Sequence, residues 1–231
     1  MGNIREIFEK GISFSEKEII DRVPIDWDKH SKGILNIAKS LEPNFKINEN
    51  NKKILKLLLL YFTGNELFSN ELEEHTGNKG SLGKGIMLVG GVGSGKTLLF
   101  KIFKKYTGML RVNSFQFYNA LEIIDEVNIS GINYLDKFNN NHDGIKSNPI
   151  TCYIDDIAAA NEKVKHFGTD HNVIEQLLSI RYNILNRYHK LTHISTNKFP
   201  SELADVYGER VIDRLIEMFN IIELDGKSFR K

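Results

Sequence analysis

Cysteine is almost missing from this chain, whose single residue of that type is Cys152. One thiol excludes an intramolecular disulfide and a zinc site built from several cysteines. Because Cys152 lies in an apolar run, we expect a buried structural thiol. Long hydrophobic runs are missing too: the longest, over 54–62, is interrupted by Lys56 and is far shorter than the roughly 20 residues that span a membrane. The acidic residues at the start argue against a signal peptide, so we expect a soluble cytoplasmic protein with no membrane partner.

The chain also lacks an excess of charge of one sign. Its 31 basic and 30 acidic side chains leave a formal net charge of +1. Bulk charge therefore does not predict nucleic-acid binding, and any contact with DNA must be a local patch. The length, 231 residues, suits one large domain, or a core domain of about 150 residues with an N-terminal extension.

The pattern of apolar residues changes character near residue 83. Before it, the sequence predicts helices over 4–10, 29–41 and 51–62. After it, predicted strands over 86–89, 110–117, 150–154, 191–195 and 221–224 alternate with helical patterns over 98–106, 119–127, 170–189 and 203–218. A polar passage over 139–148 reads as an exposed loop. We therefore predict a helical N-terminal region over 1–82 and an α/β core over 83–231, in which ligands bind at the carboxyl ends of parallel strands.

One segment carries most of the functional information: Gly90-Gly91-Val92-Gly93-Ser94-Gly95-Lys96-Thr97 matches G-x-x-x-x-G-K-S/T between a predicted strand and a predicted helix. Glycines let the backbone turn tightly and point N–H groups at an anion, and the helix adds its positive N-terminal end. In this motif the lysine reaches the β- and γ-phosphates and the threonine hydroxyl binds Mg²⁺. The predicted nucleotide contacts are Gly90, Gly91, Val92, Gly93, Ser94, Gly95, Lys96, Thr97 and Leu98.

An acidic pair, Asp155-Asp156, follows the predicted strand over 150–154. At the carboxyl end of a strand, Asp155 is placed to bind the Mg²⁺ that Thr97 also holds. Asp156 is placed to orient or deprotonate an attacking water, a role usually given to Glu, which is one methylene longer. Hydrolysis is therefore expected to be slow. The alternative is that the pair merely caps a helix. The presence of the glycine-rich loop in the same sequence makes this alternative less favoured.

Two further elements suit a nucleotide site. A Thr196-Asn197 pair follows the predicted strand over 191–195, where a polar side chain can touch the γ-phosphate or its water; such a pair is also an ordinary turn. The guanine signature N-K-x-D is broken because Pro200 occupies its last position, which favours ATP over GTP. Arg210 and Arg214 share one face of a predicted helix. They either form a solvated surface or act as an arginine finger on a neighbouring subunit.

With these motifs in order, residues 83–230 resemble the DnaC/IstB-like AAA+ ATPases, which include helicase loaders and the ATPase partners of some transposases. The resemblance rests on GGVGSGKT, on CYIDD, on STN and on the ending YGERVIDRL…IIELDGKSFR. It implies a P-loop NTPase core with a parallel five-stranded sheet and helices on both faces. The sequence departs from many AAA+ proteins in stopping at Lys231, so we expect no C-terminal lid, a form that occurs among these loaders. It also implies that Asn197 is the sensor 1 residue and that Arg214 is the arginine finger, with Arg210 as second choice.

These observations favour an ATP-hydrolysing AAA+ protein of the helicase-loader type, which acts in DNA replication with ATP and Mg²⁺. The expected partners are a replicative helicase bound by the N-terminal region, single-stranded DNA, and further copies of the chain in a nucleotide-dependent homo-oligomer. An IstB-like transposition helper, whose partner is a transposase, stays an alternative with the same core. So does a nucleotide-gated binding module with little hydrolysis. A small-molecule kinase is disfavoured because the chain lacks an evident arginine-rich lid.

Overall fold

The computed structural model of the chain describes residues 27–139, 149–159, 162–166 and 169–224. These residues form two compact units: residues 27–82 with 101–114, and residues 83–100 with the described residues from 115 onwards. The predicted helix over 4–10, the predicted loop from residue 140 onwards and residues 225–231 lie outside the described residues.

Helices and strands are named here in chain order. The helices are α1 (Trp27–Leu41), α2 (Glu49–Phe62), α3 (Leu67–Thr76), α4 (Lys96–Leu110), α5 (Ala120–Ser130), α6 (Val173–Tyr188), α7 (Pro200–Tyr207) and α8 (Glu209–Met218), with a 3-10 helix over Ile132–Phe138. The strands are β1 (Gly85–Val89), β2 (Gln116–Asn119), β3 (Cys152–Ile157), β4 (Lys163–His166), β5 (Thr169–Asn172), β6 (Thr192–Thr196) and β7 (Phe219–Glu223). In the part of the chain that is described, no helix combines the length and apolarity needed to cross a membrane.

The first unit is helical, as predicted, and contains α1, α2, α3 and the second half of α4. Its core is aromatic: the rings of Phe62 and Phe103 stack with centroids 5.1 Å apart, and His30 Nδ1 hydrogen-bonds the Tyr106 hydroxyl. The predicted helices over 29–41 and 51–62 are confirmed as α1 and α2. The sequence pattern does not predict α3, because this polar helix buries only two hydrophobic side chains, Phe68 and Leu72.

The second unit is built on a five-stranded parallel sheet in the order β2-β3-β6-β1-β7. On one face, Met87 and Ile154 pack in a buried cluster with side chains of α5, α6, α7 and α8. Tyr153 points to the opposite face because side chains alternate along a strand, and its ring stacks on Phe100 of α4 with centroids 3.8 Å apart. The predicted five-stranded sheet with helices on both faces is confirmed.

Some predicted segments need correction. The strand predicted over 110–117 is misplaced: α4 continues to Leu110, and left-handed residues at Arg111 (φ 57°) and Asn113 (φ 42°) separate it from β2. The helix predicted over 203–218 is two helices, because Gly208 (φ 80°) interrupts it. The strand predicted over 221–224 begins earlier, at Phe219.

The helix predicted over 170–189 begins only at Val173, where the Asn172 side chain accepts the Glu175 N–H at 3.0 Å. The residues before it form β5, which pairs antiparallel with β4. The prediction missed these two strands because their polar sequence lacks the apolar alternation of a half-buried strand. His166, Asp170 and His171 lie on these two strands.

Candidate functional site

The glycine-rich loop lies between the end of β1 and the start of α4, the strand-loop-helix context that its motif requires. Gly93 (φ 81°) and Gly95 (φ 90°) adopt the left-handed conformation that only glycine takes readily. The Gly90 N–H donates to Thr196 O at 3.2 Å, which ties the start of the loop to the end of β6. A Cβ at Gly90 would stand 3.0 Å from Leu224 O and 3.0 Å from Ser94 Oγ, so a side chain there would require these neighbours to shift.

The Lys96 ammonium group lies inside this loop. Its Nζ donates to Gly90 O at 2.6 Å and to Gly91 O at 3.1 Å, and the residue is only 6% exposed. Burial lowers the pKa of Lys96, and the nearby carboxylates of Asp156 and Asp155 oppose that shift. The loop lysine and the acidic pair therefore belong to one electrostatic cluster.

The two predicted Mg²⁺ ligands are in contact. Thr97, in the first turn of α4, donates its hydroxyl to Asp155 Oδ2 at 2.9 Å and to Oδ1 at 3.0 Å. Asp155 lies on β3 and is 5% exposed. Hard oxygen ligands of this kind are those that Mg²⁺ prefers. The pair therefore fits the ion chemically.

The sequence predicts that the acidic pair follows its strand. In the structure the pair lies within β3 instead. Ile154 pairs with Ile194 and Ile157 with Thr196, so three steps along β3 match two along β6. This extra residue is a β-bulge, a feature common beside active sites because it redirects a side chain. Asp156 takes up the distortion with φ 60°, and its N–H donates to Ser195 Oγ at 2.9 Å.

The structure adds Tyr153 and Ser195 to the site, although the sequence motifs that contain them assign them no role. The Tyr153 hydroxyl donates to Asp155 Oδ1, and the Ser195 hydroxyl donates to the same oxygen at 2.7 Å. Period-2 alternation places Tyr153 on the same face of β3 as Asp155. That position alone does not identify a hydrogen bond, because the partner strand β6 lies 40 residues further on.

Asn197 directly follows β6, so its backbone leaves the sheet beside the loop. The preceding residue is fixed: Thr196 Oγ1 donates to Ile157 O at 3.0 Å and accepts the Lys198 N–H at 3.1 Å. Asn197 Oδ1 is buried, and none of the described residues hydrogen-bonds to it. A buried acceptor without a partner is costly, which makes this oxygen a candidate contact for a ligand or its water. Its sensor role stays a prediction.

The predicted arginine finger is engaged within its own chain. Arg214, on α8, donates from Nη1 to Ser179 Oγ at 2.9 Å, and its guanidinium lies 5.2 Å from the centre of the Tyr182 ring. Both partners belong to α6. Arg210, one turn earlier, is exposed. The structure therefore does not bring either arginine into the cluster around Lys96, and their action on a neighbouring subunit stays a prediction.

The remaining loop residues are less informative. Val92 is 70% exposed at the loop, and Leu98 is half-buried in the first turn of α4. Their predicted nucleotide contacts stay predictions. Cys152 is a buried free thiol, as predicted.

Comparison with known proteins adds information on the fold. No family model and no curated protein sequence matches the chain. Solved structures do match. A structure of the DnaC helicase loader aligns with 80% of this chain and 96% of its own, at 21% identity and a TM-score of 0.51. The chain has the α/β P-loop fold of DnaC.

Two further structures agree. DnaI aligns over 80% of this chain and 88% of its own, at 20% identity and a TM-score of 0.53. A putative primosome component from Streptococcus pyogenes serotype M3 aligns over 79% and 84%, at 17% identity and a TM-score of 0.52. At these identities the likeness establishes the fold, which is the fold that the sequence resemblance implies.

Proposed function

We propose that this protein binds and hydrolyses ATP as an AAA+ protein and acts as a helicase loader in DNA replication. The observation that carries the nucleotide part is the contact between Thr97 and Asp155 beside the buried ammonium group of Lys96. A loop that merely turned the chain would have no reason to bury a lysine next to two carboxylates. The buried Asn197 Oδ1, which lacks a partner among the described residues, also fits a site that is completed by a ligand.

In this proposal each residue has a defined task. The N–H groups of the loop and Lys96 Nζ bind the phosphates. Thr97 and Asp155 hold Mg²⁺, which when bound neutralises charge on the β- and γ-phosphates. Asp156 accepts the proton of the attacking water, and Asn197 orients that water.

The loader role is supported by the fold shared with the structures of the DnaC helicase loader and of DnaI. Under this proposal the region 1–82 grips a replicative helicase, the core 83–231 carries the nucleotide, and ATP drives assembly on single-stranded DNA. The test is co-elution of the full chain, with and without ATP, with two purified candidates from the same genome: the replicative helicase and a transposase. ATP-dependent co-elution with the helicase alone supports the proposal. Co-elution with the transposase alone would replace it with a transposition helper of the IstB kind.

A nucleotide-gated binding module is the second candidate, and two observations favour it. Asp156 is one methylene shorter than the Glu usual at its position, and Arg214 is held by α6 of its own chain. Single-turnover hydrolysis of ATP, measured with helicase and DNA present, separates the two. A rate no faster than that of the Asp156→Asn variant would identify a binding module.

A further inference from the structure

Two buried hydroxyl groups converge on the carboxylate that is proposed to hold Mg²⁺. Tyr153 and Ser195 are both fully buried, and both donate to Asp155 Oδ1, Ser195 at 2.7 Å. Thr97 donates to the same carboxylate from α4. Donors on three different elements therefore fix the orientation of one side chain.

The hydrogen positions can be assigned by counting donors. A serine hydroxyl has one hydrogen and two lone pairs. Ser195 Oγ accepts the Asp156 N–H at 2.9 Å, so its own hydrogen is available for Asp155 Oδ1. Tyr153 has one phenolic hydrogen and two acceptors within reach, Asp155 Oδ1 and, at 2.8 Å, Ser195 Oγ. The charged carboxylate is the stronger acceptor, so we assign this hydrogen to Asp155 Oδ1. Both hydroxyls therefore act on the Asp155 carboxylate as donors.

Ser195 also connects the two acidic residues. It holds the Asp155 side chain and, through the N–H of Asp156, the backbone of the bulge in which Asp156 has φ 60°. A residue with a side chain adopts this conformation uncommonly, and contacts with its surroundings help to hold it there. The Ser195 hydroxyl is one such constraint, so it influences the direction in which the Asp156 carboxylate leaves the strand.

The Tyr153 ring is itself held by packing. It stacks on Phe100 with centroids 3.8 Å apart and meets Phe117 edge-on at 4.8 Å. Phe100 is on α4, the helix that carries Lys96 and Thr97. Tyr153→Phe would keep this packing and remove only the hydroxyl.

We propose that Tyr153 and Ser195 are positioning residues for the metal: they hold Asp155 against Thr97 and so set the Mg²⁺ affinity of the nucleotide site. Ser195 in addition holds Asp156 for the hydrolytic step. This inference rests on the proposed function. Residues that orient metal ligands typically change metal affinity by about 10- to 100-fold when substituted.

The test is the Mg²⁺ concentration that gives half-maximal tight binding of a fluorescent ATP analogue to the full chain. Tyr153→Phe and Ser195→Ala should each raise it by about 10- to 100-fold, with nucleotide affinity in EDTA unchanged. Ser195→Thr keeps a hydroxyl and should restore most of the wild-type value. At saturating Mg²⁺, Ser195→Ala should still lower kcat, because it also releases the Asp156 N–H.

Tyr106→Phe is the matched control, because it removes another buried phenol hydroxyl, one that hydrogen-bonds His30 in the first unit. It should leave the Mg²⁺ requirement unchanged. An unchanged requirement in both Tyr153→Phe and Ser195→Ala would overturn the inference, and so would an equal shift in Tyr106→Phe. If the wild-type chain bound no nucleotide at any Mg²⁺ concentration, the proposed function itself would fail, which is a distinct result.

Discussion

Acid should destabilise this protein through one buried histidine. The imidazole of His193 lies in β6, is 1% exposed, and accepts the Ile86 N–H of β1 at Nδ1 over 3.0 Å. Its proton is therefore on Nε2 in the neutral ring. Burial, helped by the charge of Arg181, lowers the pKa of His193 from 6.5 to about 3. Protonation would also destroy the acceptor that the Ile86 N–H needs.

The size of the effect follows from proton linkage. In the unfolded chain this imidazole takes up a proton below a pH of about 6.5, whereas in the folded chain it stays neutral down to about 3. The histidine therefore contributes stability that is present above the unfolded pKa and is lost as the pH falls below it. Each pH unit in that window costs about 1.4 kcal/mol, so lowering the pH from about 7.5 to about 5.5 should cost about 1.4 kcal/mol through this group.

The assay is urea unfolding at both pH values for the wild type and for His193→Asn. The asparagine amide oxygen can take the position of Nδ1 and accept the Ile86 N–H, but it does not titrate. The variant should be less stable at both pH values, because it leaves space beside Phe100 and Phe115. Its loss of stability on acidification should nevertheless be smaller by about 1.4 kcal/mol. His75→Asn, at an exposed position, is the control. It should lose as much stability on acidification as the wild type. Equal losses in wild type and His193→Asn would refute the reasoning.

Three further outcomes are expected. Asp155→Asn should raise the Mg²⁺ requirement for ATP binding by at least about tenfold, whereas Asp156→Asn should keep binding and slow hydrolysis by about 10²- to 10⁴-fold; equal loss of binding in both would remove this division of labour. Arg214→Ala should slow hydrolysis in the assembled state by about 10³-fold or more. Mixing in Lys96→Ala subunits, which keep Arg214, should restore the hydrolysis rate. A monomeric protein whose rate is strictly proportional to protein concentration would make Arg214 an ordinary surface residue. Glu162 is buried, and burial raises the pKa of its carboxyl. The stability of the protein should therefore fall as the pH rises from the unfolded pKa of this group through the folded one. Urea unfolding of Glu162→Gln should show no such fall, and a fall as large as in the wild type would contradict the assignment.

The parts of the site that could be predicted are those encoded locally. Short sequence motifs predict the loop, its flanking strand and helix, and the acidic pair. The spacing of residues within each motif indicates the local geometry. The contact between Thr97 and Asp155 could be anticipated because parallel strands bring their carboxyl ends to one edge of the sheet. The bulge at Asp156 could not, because it depends on how β3 pairs with β6.

Arg181 illustrates the other limit. An arginine in a helical pattern is ordinarily expected at the surface, yet this one is 1% exposed on α6. It donates to Thr192 Oγ1 at 2.8 Å, to Ile150 O at 2.9 Å and to Leu191 O at 3.0 Å. Two of these acceptors are backbone carbonyl groups. Because every residue has one, no pattern of side chains predicts which of them an arginine contacts. Tertiary contacts of this kind, like those of Tyr153 and Ser195, become visible only in the fold.

The central claim is that ATP binds at the loop around Lys96, and calorimetric titration of the full chain with ATP and Mg²⁺ tests it most directly. The account predicts saturable binding by the wild type and a loss of about 1.5–3 kcal/mol, roughly 10- to 150-fold in Kd, in Lys96→Ala. Lys105→Ala, at an exposed position further along α4, should bind like the wild type. Absence of binding by the wild type, or equal affinity of the wild type and Lys96→Ala, would contradict the account.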